Sequence, residues 1–128
     1  MAANCHNIYR VLIVDDEPAV RTMLAELLAG PTRSVEVRDT PRAALEFLRH
    51  NPVDLAVLDM MMPGMNGVEL AKKIKAKCPR AHIVMCTGFV AEATAANATT
   101  NAVERIFEKP FNLGELLEVA DAHTSEAA

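Results

Sequence analysis

Several absences narrow what this chain can be. It has no tryptophan, one tyrosine and four phenylalanines in 128 residues, so no indole fluorescence is available to report on its state. It lacks a basic surplus: the net charge is −4, which argues against direct nucleic-acid binding, a role that normally concentrates positive charge on one face. No apolar stretch approaches the ~20 residues of a membrane-spanning helix, and Met1 to His6 holds no apolar core of signal-peptide length. No membrane insertion is expected. Cysteine is scarce and unpaired in pattern. Cys5, Cys78 and Cys86 are odd in number and widely spaced, forming neither a disulfide framework nor a CxxC metal pair. A reducing, cytoplasmic location is the simplest expectation. Asn97-Ala98-Thr99 fits the glycosylation sequon, but without a secretory signal it carries almost no weight.

What is present is an alternation of short apolar runs with helix-period segments. Val11 to Val14, Leu55 to Leu58 and Ile83 to Cys86 are continuous apolar runs that read as strands buried on both faces. Ser34 to Arg38 is a shorter, more polar strand, and Arg105 to Phe107 a fifth. Between them, Pro18 opens a helix with Val20, Met23, Leu24, Leu27 and Leu28 at helical spacing. Thr40-Pro41 opens a second helix, Gly67 to Lys77 forms a third, and Ala91 to Asn101 a weakly amphipathic fourth. Asn112, with Glu115 three residues on, caps a fifth. Five strands alternating with five helices predict an α/β fold: one parallel sheet with helices on both faces. The expected domain covers residues 9–122, between tails at 1–8 and 123–128.

The polar residues sit at the ends of these strands. Asp15 and Asp16 follow the first, Asp59 the third and Thr87 the fourth, and Lys109 lies just past the fifth. In an open parallel sheet those ends face one ligand-binding crevice. Any one of these residues alone reads as a cap or a surface side chain; together they describe a site. Clustered carboxylates imply a cation or raised pKa values, and hard oxygen donors suit Mg²⁺. A reactive aspartate can form an acyl phosphate, while a metal and Lys109 balance the phosphoryl charge.

These segments resemble the response-regulator receiver domain of two-component signalling, including its chemotaxis regulators. The resemblance lies in VLIVDDE (Val11 to Glu17), DMMMPGMNG (Asp59 to Gly67), Cys86-Thr87-Gly88 and Glu108-Lys109-Pro110-Phe111, all in family order. It spans about residues 9 to 122. It implies a doubly wound, flavodoxin-like (βα)5 sheet of strand order 2-1-3-4-5. It also implies that Asp59 is the phosphoacceptor, and that Asp16, Asp59 and the Met61 carbonyl bind Mg²⁺ directly, with Asp15 acting through water. Lys109 would contact the phosphoryl group. Thr87 would swing to bond it, helped by the backbone N–H of Gly88, and Lys109-Pro110 would be a cis peptide. The implied phosphate source is a sensor histidine kinase or a histidine phosphotransfer protein. Such a chain is a signalling switch rather than an enzyme, assisting its own Mg²⁺-dependent phosphorylation and dephosphorylation.

Some positions depart from the family pattern. The aromatic usually found three residues before the lysine is Ile106 here, so the switch pair becomes Thr87 and Ile106. Phe107 has opposite strand parity and cannot simply take over. The family's Gly-Ala before the last strand is Ala102-Val103. The alanine-rich fourth helix offers little apolar surface for a dimer patch. Met61 and Phe89, both apolar, flank the path of a hydrolytic water, which predicts a long-lived phosphoryl state.

Other features carry less. Lys72, Lys73, Lys75, Lys77 and Arg80 read as a solvated basic face. The methionines of the 60–65 loop read as packing groups. His6, His50, His82 and His123 are dispersed and receive no role. With no output segment after helix five, any effect is expected to pass through another protein, unless the chain is a piece of a larger regulator or hybrid kinase. The alternative is a receiver-like interaction domain that is never phosphorylated.

Overall fold

A computed structural model describes residues 8–109 and 113–127. Cys5, the Lys109-Pro110 peptide and Asn112, all given roles or readings above, lie at or beyond the edges of the described residues. The elements alternate as β1 (Tyr9–Val14), α1 (Pro18–Leu28), β2 (Arg33–Arg38), α2 (Pro41–Leu48), β3 (Leu55–Leu58), α3 (Gly67–Lys77), β4 (His82–Thr87), α4 (Val90–Asn97), β5 (Arg105–Glu108) and α5 (Leu113–Ala127). The strands form one parallel sheet in the order β2-β1-β3-β4-β5. This is the expected doubly wound architecture. The polar β2 lies at one edge, where only one neighbour is needed.

Strand alternation divides the core in two. Leu12, Val14, Ala56, Leu58, Ile83 and Met85 pack against α2, α3 and α4. Val11, Ile13, Leu55, Val57, Val84, Cys86 and Phe107 pack against α1 and α5, chiefly Leu24, Leu28, Leu116 and Ala120. Aliphatic residues fill both halves, as a chain so poor in aromatics requires.

Local signals set most helix starts. Pro18 and Pro41 each open a helix, where a missing N–H costs nothing. Thr40 caps α2 by accepting from the Ala43 N–H at 3.0 Å. Asn66 and Glu69 form a reciprocal capping box on α3, with bonds of 2.9 and 3.0 Å.

Two helix ends differ from expectation, both for tertiary reasons. α4 stops at Asn97 rather than Asn101. The Asn97 side chain turns onto the chain ahead, accepting from the Val103 N–H (3.0 Å) and donating to its carbonyl (2.8 Å). Asn101 then takes a left-handed conformation, φ 54°, which asparagine tolerates better than most residues. Ala102 and Val103, in place of Gly-Ala, are buried beyond it. At the other end, α5 continues to Ala127, through residues where the sequence suggested a tail. Arg33, from β2, secures this last stretch through Asp121 Oδ1 (2.7 Å) and Thr124 Oγ1 (3.4 Å).

Candidate phosphoacceptor site

The register brings the chemistry to one rim. Val14, Leu58, Met85 and Ile106 lie side by side across β1, β3, β4 and β5. Asp15 and Asp59 each come one residue past that row, Thr87 two and Lys109 three. Backbone bonds extend the order beyond the strands: Asp59 N–H to the Val14 carbonyl (3.1 Å), Asp15 N–H to the Arg38 carbonyl (3.3 Å) and Lys109 N–H to the Thr87 carbonyl (2.9 Å).

Lys109 is the hub of the resulting pocket. Its Nζ donates to Asp15 Oδ2 at 2.9 Å, Glu17 Oε1 at 3.0 Å and Asp59 Oδ2 at 3.4 Å. Asp15 and Asp59 are almost fully buried and Thr87 completely so. Asp15 is braced by the Glu17 N–H on Oδ1 (2.9 Å), while Arg21 donates to its backbone carbonyl (2.8 Å). The Thr87 hydroxyl accepts from the Phe89 N–H at 3.0 Å, an ST-type turn that opens α4.

Burial and charge pull against each other here. Burial lifts the Asp15 carboxyl above its ordinary range, and the Asp59 charge adds to this; the bonds from Lys109 and the Glu17 N–H act in the opposite sense. Burial disfavours the Lys109 ammonium, yet its bonds to Asp15 and Glu17 and the charges of Asp15 and Asp59 outweigh it, so its pKa is raised. The Cys86 thiol beneath the pocket is pushed up to about 12, mainly by burial.

Of the residues singled out in the sequence, Asp15, Asp59 and Lys109 meet directly. Thr87 stands at the end of the neighbouring strand, and Gly88 follows it. Asp16 is exposed and is not among the carboxylates that converge. Glu17, to which the sequence assigned no role, is: its oxygen lies within 4.8 Å of those of Asp15 and Asp59. The only sequence signal for it was its place in the acidic run that ends β1. Met61 and Phe89, two residues beyond Asp59 and Thr87 respectively, are about half exposed, at 47% each. Ile106 is half-buried and packs on the α2, α3 and α4 side, whereas Phe107 is buried on the opposite side with the Arg105 guanidinium 4.6 Å above its ring.

Three carboxylate oxygens against a single ammonium leave negative charge in excess. All three are hard donors of the kind that suit a small divalent cation, so the donor set fits a metal such as Mg²⁺.

Gly67 ties this pocket to α3. A Cβ there would collide with the Asp59 backbone carbonyl and come within 2.7 Å of the Met85 methyl. The helix thus starts directly against the Asp59 backbone, with the Gly67 N–H on the Met60 carbonyl at 2.8 Å.

Comparison with known proteins supplies the family. Residues 11–121 match the response regulator receiver domain. The chain belongs to that family. It is 30% identical to the chemotaxis protein CheY of Bacillus subtilis over 112 residues, covering 86% of this chain and 92% of CheY. It is 31% identical to the response regulator receiver protein CpdR of Brucella abortus, covering 84% and 90%. It is 34% identical to the transcriptional regulatory protein ZraR of Escherichia coli, covering 93% of this chain but only 28% of ZraR. The chain therefore spans little more than a quarter of that longer regulator. A CheY-like receiver domain protein from Methanospirillum hungatei superposes with a TM-score of 0.83 at 29% identity, covering 93% and 95% of the two chains. This receiver domain is accordingly a phosphoacceptor signalling switch of the two-component class. No helix among its described residues is long and apolar enough to cross a membrane.

Proposed function

We propose that the switch operates through Asp59, which takes a phosphoryl group from the phosphohistidine of a sensor kinase or histidine phosphotransfer protein in the cytoplasm. The carboxylate oxygen forms the new O–P bond as the N–P bond to the donor imidazole breaks. The supporting observation is the convergence of Asp59 and Asp15 on the Lys109 ammonium at the carboxyl ends of the strands. Lys109, already charged and partly desolvated, balances the incoming oxygens.

Asp16, Asp59 and the Met61 carbonyl would hold Mg²⁺, with Asp15 through water, and Glu17 is a further donor within reach. When bound, the metal supplies additional neutralisation of phosphoryl charge. Thr87, at present accepting from Phe89, gives up that contact to donate to a phosphoryl oxygen, with the Gly88 N–H beside it. Ile106, on the same face as Met85, follows into the vacated space. A downstream protein reads the altered surface.

Intact-mass measurement after incubation with a small acyl phosphate tests this. The expected result is one Mg²⁺-dependent phosphate per chain, absent in Asp59→Asn. A folded wild-type protein that gains no adduct would leave the unphosphorylated interaction domain as the better account.

A further inference from the structure

A second cluster of ligating groups lies at the opposite end of the sheet from the acid pocket. His82 is the first residue of β4, Glu104 immediately precedes β5, and His123 lies near the end of α5. His82 Nδ1 is 2.6 Å from Glu104 Oε1, and His123 Nε2 is 3.8 Å from Glu104 Oε2. The two imidazoles stack, centroids 3.6 Å apart and planes inclined by 12°. One nitrogen from each ring and one carboxylate oxygen fall within 4.8 Å of one another. The histidine and glutamate side chains retain solvent access, with His82 and Glu104 at 36% and His123 at 14%.

We propose that His82, Glu104 and His123 form a transition-metal site suited to Zn²⁺, separate from the acid pocket. The donor chemistry distinguishes the two. Three carboxylates and no imidazole suit a hard cation, whereas two imidazoles and one carboxylate suit borderline zinc, which accepts three protein ligands and completes its shell with water. Glu104 faces both rings, one oxygen to each, so a cation held at Glu104 meets both imidazoles once the rings unstack to aim their in-plane lone pairs at it. Metal and protons compete for the same imidazole nitrogens, so affinity falls as pH drops. Because the ligands come from β4, the β5 approach and α5, occupancy fastens the end of α5 to the sheet.

The test uses the untagged 128-residue protein with Mg²⁺ in excess, titrated with zinc chloride by calorimetry and followed by thermal unfolding. One zinc per chain is expected. Tm should rise by about 10 °C at a zinc concentration ~100 times Kd. His82→Gln and His123→Gln, each checked for folding by circular dichroism, should each weaken binding by at least about tenfold, the loss produced even by disturbing a metal ligand's supporting partner. Asp59→Asn should bind zinc as the wild type does. Cobalt should give a visible absorption band in the wild type that both histidine variants lack. Zinc affinity unchanged in the histidine variants, or lost in Asp59→Asn, or no binding at millimolar zinc, would overturn the site.

Discussion

Cys86 shows how far one buried residue feels the pocket above it. Its thiol is pushed from an ordinary 9.0 to about 12, first by burial and then by the charges of Asp15 and Asp59, with Lys109 opposing. In the unfolded chain the thiol ionises normally. A group whose folded pKa is raised contributes stability that is fully present below the unfolded value and lost as pH rises through the folded one. The stability of the wild type should therefore fall between pH 9 and about pH 10.3 more steeply than that of Cys86→Ala, by about 1–2 kcal/mol across that window. Urea unfolding at a series of pH values reads this directly; equal slopes for the two proteins would refute it. Lys109 adds a loss in the same direction, but only above its own ordinary 10.5, and it does so in both proteins. The position of Cys86 in an apolar run made its burial legible from sequence. The inclusion of Glu17 in the pocket was not legible, because it lies three residues beyond β1, in the turn into α1, where strand register no longer sets its direction.

At the scale of elements, the contact between α3 and β3 carries the strictest demand. Gly67 opens the helix where its Cα lies against the Asp59 backbone, so any side chain must push one element off the other. Gly67→Ala should cost about 1–3 kcal/mol by overpacking and should also slow phosphorylation of Asp59, because the strand end that positions the carboxylate is what moves. Denaturant unfolding together with the rate of phosphate incorporation checks both effects; normal stability or a normal rate would count against it. The three central strands were legible as apolar runs, and α1 and α2 through their opening prolines. The end of α4 was not. Ala91 to Asn101 is compositionally uniform, and the helix stops where Asn97 finds Val103, six residues ahead, a partner that exists only once the chain has folded. The pairing of His82 with Glu104 and His123 was invisible for the same reason: the three belong to separate segments, and nothing local to any of them marks the meeting.

Across the whole molecule, the alternation of the strands separates the proposed trigger from the proposed response. Asp15, Asp59 and Lys109 continue the parity of Ile13, Val57 and Phe107, whose side chains face α1 and α5. Thr87 shares the parity of Met85, which with the half-buried Ile106 faces α2, α3 and α4. Phosphorylation should therefore shift the methyl resonances of Ile106 and Met85 more than those of Leu24, Leu28 or Leu116, the last three lying in the other half of the core. Methyl NMR spectra recorded before and after phosphorylation decide this, and larger shifts on the α1 and α5 side would reverse the assignment. The sheet is then a partition as well as a scaffold. Under the proposed switch, a charge gained in one compartment is answered by a change of shape in the other, and the message appears on the face away from the Asp15 and Asp59 side chains.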